Sequence, residues 1–212
     1  MSKVRFSITM SIDGYVAGPS PSLENPLGLG GEKLHEWALE LEVWRRPHGL
    51  EGGVVNESTA VMEATQENVG AYLMGRNMFG GGPGGWGDDP WKGWWGDEPP
   101  FHAPVFVVTH HAREPLDLKG TTFRYVTDGV EAALEQARTA AGAGDVLVSG
   151  GASVVNQCLD AGLVDEFTVS IAPVLLGGGT PLFANRSSTE QLEQVGVISA
   201  PGVAHVSYRV RG

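Results

Sequence analysis

Three short stretches of the chain carry residue types suited to holding phosphate. Gly75-Arg76 joins a flexible turn to a guanidinium, and Thr109-His110-His111, with Arg113 close behind, offers a hydroxyl, two imidazoles and a second guanidinium. Gly150-Gly151-Ala152-Ser153 has two glycines whose backbone can approach an anion unobstructed. Taken singly each has an ordinary reading: a surface cation, a capped turn with solvated histidines, and a glycine connection between strand and helix. Together they make three phosphate-sized sites, as a dinucleotide requires. A fourth candidate is Asp13, a carboxylate at the end of the first apolar run, which could serve as a proton donor or as an Asx-type turn with Gly14.

The elements that must position these groups follow from hydrophobic periodicity. Asp145 to Phe183 organises the chain: Val146-Leu147-Val148 reads as a strand, Ser149-Gly150-Gly151 as a tight turn, and Val155, Cys158 and Leu159 as one face of a helix. Phe167, Val169 and Ile171 then alternate with polar or small residues, so a strand returns and the unit is βαβ. Such a unit sets the free N–H groups of the helix start beyond a strand end, where the helix dipole favours an anion.

Elsewhere Val4, Phe6, Ile8, Met10 and Ile12 predict a first strand, followed by a long loop over 19–31 rich in Pro and Gly. Leu34, Trp37, Ala38, Leu41 and Trp44 predict one amphipathic helix over 32–46, and a second is expected over 57–69. Strands are expected at 71–74, 104–109 and 122–126, and a helix after Asp128-Gly129. Residues 80–100, dominated by Gly, Trp, Asp and Pro, show no period and read as a second long loop. Its four tryptophans are either an aromatic wall over a flat ligand or a loop packed on its own rings. Residues 190–198 and 204–210 suggest a C-terminal antiparallel hairpin. The sum is about eight strands and four or five helices, an α/β sheet with an antiparallel end, in a single domain spanning 1–212.

Composition narrows the function classes. A net charge of −11 with only 14 Lys and Arg argues against nucleic acid. No run approaches the ~18 apolar residues of a membrane span, and the N-terminal stretch alternates like a strand rather than a signal peptide, so a cytoplasmic protein is expected. The lone Cys158 excludes a disulfide framework and reads as a buried thiol. The six histidines have no metal-binding spacing, so no metal site is expected.

The segments MSIDGYVAGP, LMGRNMF, VFVVTHH and the run from DVLVSGGASVVNQ through GLVDEFTVSIAPVLLGGGTPLF resemble the dihydrofolate reductase-like superfamily. The likeness is to the branch that contains the C-terminal reductase domain of RibD-type riboflavin-biosynthesis enzymes. That resemblance implies a fold of about eight mostly parallel strands flanked by helices, and a homodimer. It implies NADPH as cofactor and hydride transfer to a small heterocyclic imine or carbonyl, as in 5-amino-6-(5-phosphoribosylamino)uracil reductase. It places Arg76 and Thr109-His110, after Gly75, at the adenosine 2′-phosphate, Gly150, Gly151, Ala152 and Ser153 at the pyrophosphate, and Val16, Ala17 and Gly18 in the loop over the nicotinamide. A folate or pterin reductase would need a carboxylate on the first helix facing its pocket, and Glu36 and Glu40 lie off the apolar stripe. A nucleotide-binding module without turnover is the other alternative.

Overall fold

A computed structural model describes residues 2–82, 84–87, 91–184, 186 and 189–211. The strands in chain order are β1 (Val4–Ser11), β2 (Tyr15–Ala17), β3 (Val69–Gly75), β4 (Val105–Val108), β5 (Leu116–Leu118) and β6 (Thr121–Val126). They continue with β7 (Asp145–Gly150), β8 (Glu166–Ala172), β9 (Thr180–Pro181), β10 (Gln191–Ala200) and β11 (Val203–Arg211). The helices are α1 (Glu36–Leu39), α2 (Glu42–Arg45), α3 (Glu57–Gln66), α4 (Arg76–Phe79), α5 (Gly129–Ala141) and α6 (Ala152–Asp160). The α/β class is the one expected, with parallel strands flanked by helices and the antiparallel hairpin β10–β11 at the C-terminal end. The strands beyond the expected eight are β2, β5 and β9, two or three residues each and too short to show a period. No helix among the described residues is long and apolar enough to cross a membrane.

Two interleaved units account for the fold, one comprising residues 1–5 and 68–164 and the other residues 6–67 and 165–212. In the first, the strand order is β7-β3-β4-β6-β5, with β3 parallel to both β7 and β4, β4 parallel to β6, and β5 closing the edge antiparallel. Registers Tyr72↔Val105, Tyr72↔Leu147 and Val105↔Phe123 line these residues up on one face, where they form an apolar cluster with Met74, Phe79 and Val107. Helix α5 packs on β3, β4 and β7, burying Val130, Ala133, Leu134 and Ala137, the i, i+3, i+4, i+7 stripe of an amphipathic helix. Burial pushes the Cys158 thiol of α6 up to about 12, which makes it an inert core group.

The second unit carries the order β10-β11-β8 and the small β2–β9 ladder, all antiparallel. The single helix expected over 32–46 is broken into a 3-10 turn (Gly31–His35), α1, α2 and a second 3-10 turn (Arg46–His48). The break is at Leu41, which is extended because Glu42 N–H donates to Val54 O at 3.0 Å and Val54 N–H to Glu40 O at 2.8 Å. That strand-like bridge takes the backbone groups a continuous helix would need, while Leu34, Ala38 and Leu41 still reach the core. The helix expected over 57–69 ends earlier, as α3, and starts on an Asn56–Thr59 capping box.

Within this unit His205 is buried between two buried hydroxyls, Nδ1 at 2.8 Å from Ser170 Oγ and Nε2 at 2.9 Å from Ser58 Oγ, with the Trp37 ring edge-on at 5.0 Å. Burial lowers its pKa below the ordinary 6.5. As pH falls below that value the unfolded chain takes the proton first, so the unfolded state binds more protons and stability declines. The urea midpoint should therefore drop between about pH 7 and pH 5. A His205→Gln variant should show a shallower decline, and an unchanged slope would exclude His205 as its source.

Candidate functional site

In the first unit the sequence-predicted phosphate turns are brought into one line. Gly75 of β3 pairs with Val108 of β4, and Met74 pairs with Gly150 of β7, so Gly75-Arg76, Thr109-His110 and Gly150-Gly151 all leave the carboxyl edge of three adjacent parallel strands. The β3–β7 register shifts between Leu73 and Met74, with Leu73 opposite Val148 and Met74 opposite Gly150. Gly150 has φ 120°, which disfavours any residue with a Cβ, and the Gly150–Gly151 peptide is cis.

Helix α6 starts at this edge with no side-chain cap. Val154 and Val155 N–H both donate to Gly151 O, so the N–H groups of Ala152 and Ser153 lie ahead of the helical ladder and face the turn. A Cβ on Gly151 would meet nothing within 4 Å, so the space beside it is open. At Gly75 the opposite holds, since a Cβ there would come within 2.9 Å of Val154 Cγ2. Gly75 is thus a close-packing glycine and Gly151 an accessible one. Ser153 is exposed, and its Oγ accepts a hydrogen bond from Gln157 Nε2 at 3.1 Å.

Thr109 is buried, its N–H donating to Val126 O at 3.0 Å and its Oγ1 accepting from His111 N–H at 3.2 Å. The hydroxyl therefore shapes the turn and presents His110, which is exposed. Arg76, the first residue of α4, lies over the Trp86 ring, Cζ 3.2 Å from its centroid, and donates through Nη2 to Gly81 O and Gly82 O at 3.2 and 3.1 Å. Its Nε and Nη1 are buried without a partner among the described residues. Burial, and then the nearby Arg113 charge, lowers its pKa from the usual arginine range. Arg113 lies 4.8 Å from the Trp86 centroid and 4.9 Å from that of Tyr125, and its Nη1 donates to Trp91 O at 2.5 Å. Burial pushes the Tyr125 phenol up to about 12, and its hydroxyl also lacks a partner among the described residues. Two guanidinium groups and unsatisfied donors grouped on one edge suit a phosphate monoester.

The Trp-rich loop, whose residues 83 and 88–90 lie outside the described set, is held by contacts within the first unit. Trp91 N–H donates to Phe79 O at 2.8 Å, Trp94 N–H to Met78 O at 3.0 Å, and Trp86 N–H to His111 O at 2.9 Å. Trp86, Trp91 and Trp95 pack on the apolar cluster around Phe79 and Phe123. The loop packs on the rings of its own unit, and sequence reasoning missed that Trp86 covers Arg76. The spacing from 76 to 86 carries no period that would reveal it.

In the second unit Asp13 accepts Leu176 N–H on Oδ1 at 3.1 Å and Gly177 N–H on Oδ2 at 2.7 Å. A hydrogen bond with the Ser11 side chain, joined by these backbone donors, holds its pKa below the ordinary carboxylate value despite its exposure. A carboxylate kept ionised and occupied on both oxygens is a loop anchor, and this arrangement lends no support to proton donation. Val16 and Ala17 belong to β2, paired with β9. Gly18 is wedged between backbones, because a Cβ there would come within 2.0 Å of Leu29 O. One on Gly179 would come equally close to Ala17 O. The loop over 19–31 is thus fastened to Val16-Ala17-Gly18. Glu36 and Glu40 are exposed. No cluster of potential metal ligands occurs among the described residues.

The family model of the RibD C-terminal domain matches residues 2–204. By sequence, the chain is similar to the uncharacterized protein YyaP of Bacillus subtilis (strain 168), 39% identical over 69 residues, which is 32% of this chain and 37% of that protein. The match thus spans well under half of that relative's length. Among solved structures, the putative riboflavin biosynthesis protein from Shewanella sp. PV-4 is similar with a TM-score of 0.65 and 20% identity over 99% of both chains. Dihydrofolate reductase from Enterococcus faecalis, complexed with NADP(H), is similar with a TM-score of 0.51 and 11% identity over 99% of this chain and 97% of that one. These likenesses establish a dihydrofolate reductase-like fold.

If Asp13 is an anchor, Asp13→Ala should raise amide hydrogen exchange at Leu176 and Gly177, and Asp13→Asn, which keeps one carbonyl acceptor, should raise it less. Unchanged exchange in both variants would remove the anchoring role.

Proposed function

Because the chain belongs to the RibD C-terminal domain family, we propose that it is an NADPH-dependent reductase that transfers hydride to a small heterocyclic imine or carbonyl compound. The observation that carries this reading is the register that aligns Gly75-Arg76, Thr109-His110 and Gly150-Gly151 at the carboxyl edge of β3, β4 and β7. Ligands of open α/β sheets bind at such an edge. The N–H groups of Ala152 and Ser153, beside the open space at Gly151, suit a pyrophosphate. Arg76 and Arg113 suit the adenosine 2′-phosphate, to which His110 is assigned by resemblance. Val16, Ala17 and Gly18 are assigned to the nicotinamide end by resemblance.

The nicotinamide supplies the hydride, so the chain needs only to orient it and exclude water. Reduction of a C=N or C=O bond also consumes one proton. Asp13 is ill suited to give it, and water is the donor in this reading. The riboflavin-pathway substrate 5-amino-6-(5-phosphoribosylamino)uracil is the first compound to try. A pterin is the lesser candidate because Glu36 and Glu40 are exposed. The same reading takes the protein to be a cytoplasmic homodimer, with the exposed Leu192, Val195 and Val197 of β10 as the surface to examine.

Titration with NADPH and NADH should show selective NADPH binding. Arg76→Ala should weaken NADPH binding about ten- to a hundred-fold, the loss expected for charge-assisted hydrogen bonds, and leave NADH unchanged. Failure of both nucleotides to bind at high micromolar concentration would overturn the reading.

A further inference from the structure

The geometry around Arg76 is not that of an open phosphate site. A phosphate oxygen must reach the Nε and Nη edge of a guanidinium. Here Nη2 is taken by the carbonyls of Gly81 and Gly82, the planar face by the Trp86 ring, and Nε and Nη1 are shut off from solvent without any partner among the described residues. Charged donors buried in this way lose hydration without a hydrogen bond in return among the described residues. The arrangement therefore favours exchange of its present cover for an anion.

Trp86 is the aromatic part of that cover. The Trp86 indole donates to His111 O at 2.9 Å and meets Phe79 and Tyr125 edge-on, with centroids 5.8 and 4.8 Å away. Around it, a Cβ on Gly82, Gly84, Gly85 or Gly87 would meet nothing within 4 Å. Gly82, Gly84 and Gly87 also have positive φ. Gly84, Gly85 and Gly87, which flank Trp86, thus have open space beside them and can change conformation at little steric cost.

We propose that Trp86, with the carbonyls of Gly81 and Gly82, competes internally with ligand for Arg76, and so sets the affinity and selectivity for an adenosine nucleotide carrying a 2′-phosphate. This rests on the nucleotide reading given above. On this proposal a 2′-phosphate gains the in-plane Nε and Nη1 of Arg76, which are shut off from solvent, only when the loop that carries Trp86 moves aside. The remainder of an adenosine ligand is indifferent to that step.

The test is calorimetric titration of the full chain and its Trp86→Ala variant with adenosine 2′,5′-bisphosphate and with adenosine 5′-monophosphate, which lacks only the 2′-phosphate. Trp86→Ala should bind the bisphosphate about ten-fold more tightly and the monophosphate unchanged, and Trp86→Phe, which keeps a smaller ring, should fall between. Unchanged or weaker bisphosphate binding in Trp86→Ala overturns the proposal, weaker binding meaning that the indole is a platform instead. If the bisphosphate outbinds the monophosphate in the unmodified protein and Trp86→Ala does not tighten it, this inference alone falls. If no adenosine ligand binds either protein, the nucleotide reading falls with it. Should Trp86→Ala fail to fold, hydrogen exchange of the unmodified protein decides: saturating bisphosphate should speed exchange at Trp86 and Gly87, and slower or equal exchange overturns the proposal.

Discussion

Parallel pairing of β3 with β7 on one side and β4 on the other is the constraint on which the first unit depends. Parallel neighbours all leave the sheet at the same edge, so whatever residues follow Gly75, Val108 and Gly150 must meet there. The same pairing buries both faces of β3, where Ala71, Tyr72, Leu73 and Met74 are all in the core. A one-residue slip of β3 would exchange Tyr72 and Met74 for Ala71 and Leu73 on the aromatic side. The cost of that slip fixes the alignment of the turns. Packing thus decides the placement of the polar groups, which themselves contribute little to holding it.

Glycine supplies the remaining freedom, and it does so in two distinct ways. At Gly75, Gly18 and Gly179 the missing side chain lets another atom approach: a helix side chain in the first case and backbone in the other two. At Gly151 the missing side chain leaves space that no protein atom fills. Only the second kind makes room for a ligand. Composition alone cannot separate them, since all four are glycines beside turns.

The parts of the fold that sequence made legible are those governed by local periodicity. Val146-Leu147-Val148, Pro104 to Thr109 and the Val130-Ala133-Leu134-Ala137 stripe carry their element type in their own spacing. The Glu32–Arg46 region failed because Leu41 answers to Val54, a partner outside any helical window. Asp13 was ambiguous for the same reason, its two donors arriving from Leu176 and Gly177. The types of residue at the three candidate phosphate turns were readable, while the occupancy of Arg76 by Trp86 was set by a loop without periodicity.

That occupancy bears on how an acidic protein holds two guanidinium groups at one indole ring without an ion-pair partner among its described residues. Arg76 and Arg113 both lie over the Trp86 ring, at 3.2 and 4.8 Å, and the negative face of an aromatic ring is a weak substitute for an anion. A cation–π contact contributes about 0.5–2 kcal/mol, against about 1.5–3 kcal/mol for each hydrogen bond to a charged group. A dianionic phosphate making two such bonds gains about 3–6 kcal/mol, and giving up the ring takes back about 0.5–2 kcal/mol of it, enough for the ring to moderate affinity. Under the proposed competition the indole both offsets the buried charge of the unliganded protein and limits how tightly a phosphate is held, and neither effect can be removed without the other.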